Sequence, residues 1–179
     1  RRAYLSQKYA AELAASLPPP PAKIVYDGTI LRTEGRIPLG AVALSDGRVA
    51  ILSRQHGLRS VELYGEGTRQ MSLPLRDPGE FQGGGAFTLS PDGRPSVYDQ
   101  GAIQRLADGS LQALPLYPSP ERPVTALLDG PDGPVLGVKG QPPELWRYTP
   151  DGQRRSITVL PGLRYLWGLM PGPGKAVLA

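Results

Sequence analysis

The chain has 179 residues, a net charge of +4 and no cysteine. Disulfides and thiolate metal sites are therefore excluded, and no apolar run reaches the ~18 residues of a membrane-spanning helix. Lysine and arginine never run beyond two in a row and aromatics are only 7%, so neither the basic stripe nor the stacking platform of a nucleic-acid surface is visible, and no nucleic-acid partner is expected.

Residues 1–17, RRAYLSQKYAAELAASL, predict a short N-terminal helix, because Leu5, Tyr9, Leu13 and Leu17 recur every four residues in a helix-favouring composition. Three uses suit it: packing on its own domain, docking a partner protein, or following a membrane anchor upstream of Arg1, which would allow membrane association. A proline-rich linker, 18–22, ends the helix and extends as a stiff spacer. The β-domain is then 23–179. Its first segment, KIVYDGTILRT at 23–33, reads as two strands around an Asp-Gly turn.

The 23 glycines and 21 prolines alternate with short apolar runs, which reads as many tight turns. The turns are periodic. Gly47, Gly93, Gly133 and Gly174 are spaced by 46, 40 and 41 residues, and a second turn glycine (Gly67, Gly109, Gly152) follows the first three by 20, 16 and 19. Each period divides into four strands, a to d. Strand a is GAVAL, GAFTL, VTALL and LWGLM, nearly all small or apolar, and so expected to be buried on both faces. Strands c and d alternate apolar and polar residues, as half-exposed strands do. Four-stranded antiparallel units repeating every 40–46 residues read as blades of a β-propeller; the alternative is a β-sandwich with coincidental turn spacing. The expected fold is thus all-β, with about three full blades and two half-blades. The half-blades at 23–33 and 166–179 complement each other and could close a four-bladed ring; the short last strand, KAVLA, instead favours part of a larger propeller.

The stretch VTALLDGPDGPVLGVKGQPPELWRYTPDG resembles the two-component-regulator propeller repeats of bacterial sensor proteins and is similar to NHL-type repeats. YLWGLMPGPGKAVLA resembles the blade openings of other bacterial propellers. The resemblance covers roughly residues 23–179. It implies ligand sensing or protein contact, generally outside the cytoplasm, and so an extracytoplasmic location. It carries over no catalytic residue.

The chemistry-bearing residues are few. His56, the single histidine, has no metal-ligand spacing around it. Asp46, Asp92, Asp108, Asp132 and Asp151 lie one per hairpin turn, where aspartate shapes the backbone; calcium needs several oxygens from one loop. No metal or cofactor is expected. Trp146 and Trp167 are read as packing residues. The a–b and c–d turns share one face and are short. The b–c and d–a loops share the other and vary more, and variable loops on a rigid scaffold tend to carry function. That face gathers Arg54, His56, Arg59, Arg76, Phe81, Tyr117, Arg122, Lys139, Arg164 and Tyr165 as the candidate binding surface.

The sequence therefore predicts a non-enzymatic propeller that binds another protein, as an accessory subunit of a bacterial extracytoplasmic assembly. The alternative is a propeller that senses a small ligand, a sugar or peptide, over its channel mouth. A propeller enzyme of the lactonase or lyase kind needs channel carboxylates or histidines, which the inner strands do not offer.

Overall fold

The computed structural model describes residues 35–76, 86–171 and 177–178, all within one compact unit, Leu31–Ala179. The predicted helix with Leu5, Tyr9, Leu13 and Leu17, the linker, the segment 23–33 and Phe81 lie outside the described residues.

Three four-stranded antiparallel sheets follow one another along the chain. The first holds β1 (Ile37–Ala43), β2 (Val49–Gln55), β3 (Leu58–Gly65) and β4 (Thr68–Pro74). The second holds β5 (Phe87–Leu89), β6 (Pro95–Asp99), β7 (Ala102–Ala107) and β8 (Ser110–Pro115). The third holds β9 (Val124–Gly130), β10 (Gly133–Val138), β11 (Glu144–Tyr148) and β12 (Arg154–Val159). β13 (Met170–Pro171) and β14 (Val177–Leu178) open a fourth sheet. Within each sheet the strands pair in chain order, and the first strands β1, β5, β9 and β13 neighbour one another in that order. This is the blade arrangement of a β-propeller. No α-helix occurs among the described residues.

The turns explain the repeat. His56–Gly57, Glu66–Gly67, Gln100–Gly101 and Asp108–Gly109 are two-residue turns with positive φ at both positions, as type I′ hairpins require. The Asp-Gly pairs at 46–47, 92–93 and 151–152 belong instead to three-residue loops, in which only the glycine has positive φ. In each loop the flanking backbone closes twice: Leu44 with Arg48 and Gly47, Ser90 with Arg94 and Gly93, Thr149 with Gln153 and Gly152. The aspartate then accepts a hydrogen bond from a residue of its own loop: the Arg48 N–H, the Ser90 hydroxyl and the Thr149 hydroxyl.

The apolar cores lie between sheets. Leu52, Val61 and Leu63 of the first sheet pack with Phe87, Val97 and Leu106 of the second. Ile103 and Leu116 pack with Leu127, Leu136 and Tyr148. Val135 and Leu145 pack with Leu166. Each such buried side chain contributes roughly 1.5–3 kcal/mol.

Burial corrects one expectation. In the second and third blades the strand enclosed on both faces is the second: β6 and β10 are buried throughout. β1 is exposed or half-buried along its whole length. β6 and β10 have strand partners on both edges, whereas β1 has a single strand partner among the described residues. Small residues follow the same logic. A Cβ at Gly168 would meet nothing within 4 Å, but one on Gly137 of β10 would lie 2.6 Å from Leu166 Cδ2 and 2.9 Å from the Ala126 Cβ.

Candidate binding site

Two loops meet at the edge of the third sheet. Residues 139–143 join β10 to β11, and 160–169 join β12 to β13. Backbone hydrogen bonds tie the first loop on both sides: the Lys139 N–H donates to the Pro123 carbonyl (2.8 Å), and the Leu160 N–H to the Pro143 carbonyl (3.0 Å). Arg122 adds a side-chain brace. Its guanidinium pairs with Glu144 and passes over Gly140, where a Cβ would lie 2.7 Å from Nη1. Glu144 also accepts from the Trp146 indole N–H (2.8 Å), and the Arg154 guanidinium stacks on the Trp146 ring at 4.7 Å.

Leu166 anchors the second loop. It is buried in the core of Ala126, Val135 and Leu145, in the space that Gly137 leaves open. Successive side chains of an extended segment point to opposite sides, so with Leu166 inward its neighbours stand outward. Tyr165 is 63% exposed and Trp167 is 69% exposed, and their ring centroids are 5.9 Å apart. Between the loops lies a cavity of about 320 Å³, with Lys139, Gln141, Arg164, Tyr165, Leu166 and Trp167 among its walls. No carboxylate or histidine lines it.

Of the predicted surface residues, Lys139, Arg164 and Tyr165 thus come together, with Arg122 bracing the loop beside them. The others are placed elsewhere. Arg54 and His56 stand at the β2–β3 hairpin, a tight turn and not a variable loop. Tyr117 is exposed and bridges Gln153. Its N–H donates to the Gly152 carbonyl and its carbonyl accepts from the Arg154 N–H, at 2.8 and 2.9 Å. Arg59 is a correction, because it is only 1% exposed and cannot serve a free surface. Its guanidinium reaches across to Asp99 of the second sheet at 3.4 Å. Asp99 also accepts from the Arg76 backbone N–H at 3.0 Å.

A second link of this kind joins the next pair of sheets. Asp129 of β9 accepts from Arg105 Nε and Nη2, at 2.9 and 2.8 Å, and from the Ser96 hydroxyl at 2.7 Å. The Asp129 carboxylate holds the Arg105 guanidinium pKa above its usual range. In the first sheet the fully buried Glu62 accepts from the Tyr64 hydroxyl (2.9 Å) and pairs with Arg36 Nε (2.7 Å). Among the described residues no three His, Asp or Glu side chains are grouped to hold a metal ion.

The chief residue missed from sequence is Trp167. The signal was the alternation in Tyr165-Leu166-Trp167, which places the two rings opposite the one aliphatic residue.

Glu144 makes the loop brace pH-sensitive. The Trp146 N–H and then the Arg122 guanidinium hold its pKa below the ordinary 4.5. A depressed carboxylate contributes stability that is present above the ordinary value and lost as pH falls through the folded-state pKa. Trp146 fluorescence in a Trp167→Phe background is expected to shift on acidification below that value. The shift should be absent in Glu144→Gln; a shift that survives there would place its origin elsewhere.

No family model matches the chain, and no curated protein matches it. Solved structures do. The selenomethionine-substituted virginiamycin B lyase of Staphylococcus aureus superposes with a TM-score of 0.61 at 21% identity, over 82% of this chain and 50% of that one. A catalytically inactive form of the same enzyme with quinupristin gives 0.59 at 22%, with the same coverage. The chain therefore spans about half the length of these structures, and the likeness shows the propeller fold alone.

Proposed function

We propose that this chain is a non-enzymatic β-propeller that binds a partner protein where the 139–143 and 160–169 loops meet, as an accessory subunit of an extracytoplasmic bacterial assembly. The observation that carries the reading is the outward-facing Tyr165–Trp167 pair beside Arg164, held on a buried leucine. Tyrosine, tryptophan and arginine are the residues that most often anchor protein interfaces, and the 139–143 loop, tied by backbone hydrogen bonds on both sides, loses little freedom on binding. The non-enzymatic reading is supported by the use of the buried acids: Asp99, Asp129 and Glu62 link strands and sheets and do not line the cavity between the loops. The extracytoplasmic part rests on the repeat resemblance.

The cavity itself favours a second reading, a small-ligand propeller, because about 320 Å³ falls at the low end of the ~300–1,000 Å³ range of such sites.

A photo-crosslinker at position 165 is expected to capture one defined partner from the native source, and the same group at Arg94, on the β5–β6 turn, is expected to capture none. Trp167→Ala should weaken the isolated complex at least tenfold with an unchanged circular dichroism spectrum. Equal capture from both positions, or a complex indifferent to Trp167→Ala, would overturn the reading.

A further inference from the structure

Resting on that reading, we infer that the partner docks as an extended strand paired to the main chain of 165–168, with a carboxylate on the side of Arg164. Three observations converge. First, the backbone of 165–168 is hydrogen-bonded to no other described residue, and β13 begins only at Met170. Tyr165, Trp167 and Gly168 are exposed on either side of the buried Leu166, and main-chain N–H and C=O groups without a strand partner are a template for an added strand. Second, there is room. A Cβ on Gly168 would meet nothing within 4 Å, so another backbone can approach there. Third, apolar exposure extends beyond the cavity, through Leu163 (41%), Tyr165, Trp167 and Met170 (59%). That stretch is longer than a ligand filling the cavity would cover, and a strand laid along it would seat one large side chain in the cavity, against the Tyr165–Trp167 ring pair.

Charge selects among strands. Arg164 lines the cavity, is exposed and makes no ion pair among the described residues. Glu144, beside the cavity-lining Pro143, is already taken by Arg122 and Trp146. A strand with a glutamate or aspartate next to its apolar residue supplies the missing charge, and a lysine there is repelled.

The test tethers a probe strand to the whole chain. The sequence Thr-Val-Glu-Val-Thr is appended after Ala179 through a Gly-Ser linker, which gives it an effective concentration in the millimolar range. Amide hydrogen exchange at 165–168 is expected to slow at least tenfold against the unmodified chain. A Thr-Pro-Glu-Pro-Thr version, which lacks two main-chain donors, should give no slowing, and Thr-Val-Lys-Val-Thr a smaller one. Unchanged exchange with the tethered glutamate strand would overturn the inference, as would equal protection by the proline version. So would amides at 165–168 already protected in the unmodified chain, which would mean that its own polypeptide fills the place. A partner still crosslinked from position 165 while these amides stay unprotected would leave the protein-binding reading standing and remove strand pairing alone.

Discussion

Replacing Gly152 with alanine is expected to cost roughly 2–5 kcal/mol and to separate the β8–β9 loop from the third sheet. Two costs combine. Gly152 has φ of 89°, a conformation that costs an L-residue about 1–2 kcal/mol. Its new Cβ would also lie 2.1 Å from the Pro115 carbonyl oxygen. That atom is backbone and cannot swing aside, so the chain itself must move, at a further ~1–3 kcal/mol. The move would break the Tyr117–Gly152 hydrogen bond and the Tyr117–Gln153 bridge. Gly109→Ala is the control. Its φ is 75°, but a Cβ there would meet only Met71 Cε, at 3.6 Å. It should show the conformational cost alone. Urea unfolding of the two variants separates the terms; equal losses would show that the close approach at Pro115 carries no weight.

The second large effect is expected at Asp129, which is 3% exposed. Asp129→Ala leaves Arg105 and the Ser96 hydroxyl without their acceptor at the junction of two sheets. Breaking a fully buried ion pair costs ~3–5 kcal/mol. The Arg105 side chain retains 30% exposure and can turn to water, so about 2–3 kcal/mol is expected, a fall of roughly 5–10 °C in Tm. In a double-mutant cycle, Arg105→Ala with Asp129→Ala should cost less than the two single losses added together. Strict additivity would mean that the pair does not act as a unit.

Much of the architecture is legible in the sequence because it is local. A hairpin is set by its turn, and every described hairpin except β10–β11 carries a glycine at a residue of positive φ. The strand limits follow within a few residues, from Val49–Gln55 to Arg154–Val159. What sequence reasoning misplaced depends on the third dimension. Arg59 reads as a loop cation because it flanks a histidine-glycine turn, yet its strand faces the second sheet, where Asp99 waits for it. Asp99 and Asp129 sit among ordinary strand residues, 40 and 24 positions from the arginines that they hold. No local pattern announces such a pair. From sequence Trp167 belongs to an inner strand, but that strand begins only at Met170; the burial of Leu166 decides its direction. The candidate site was half legible: Lys139, Arg164 and Tyr165 stood out by type, and the tryptophan that completes the cavity did not.

The two links between sheets share a direction. In each, the later blade supplies the acid and the earlier blade the base: Asp99 to Arg59, and Asp129 to Arg105. A blade is therefore not symmetric front to back, and two blades turned face to face would set like charges against each other. Stacking is head-to-tail, the heterologous mode that closes into rings or runs on as open arrays. It follows that a duplicated or transplanted blade can enter such a protein in one orientation only. The order of blades along the chain is written in charge as well as in connectivity.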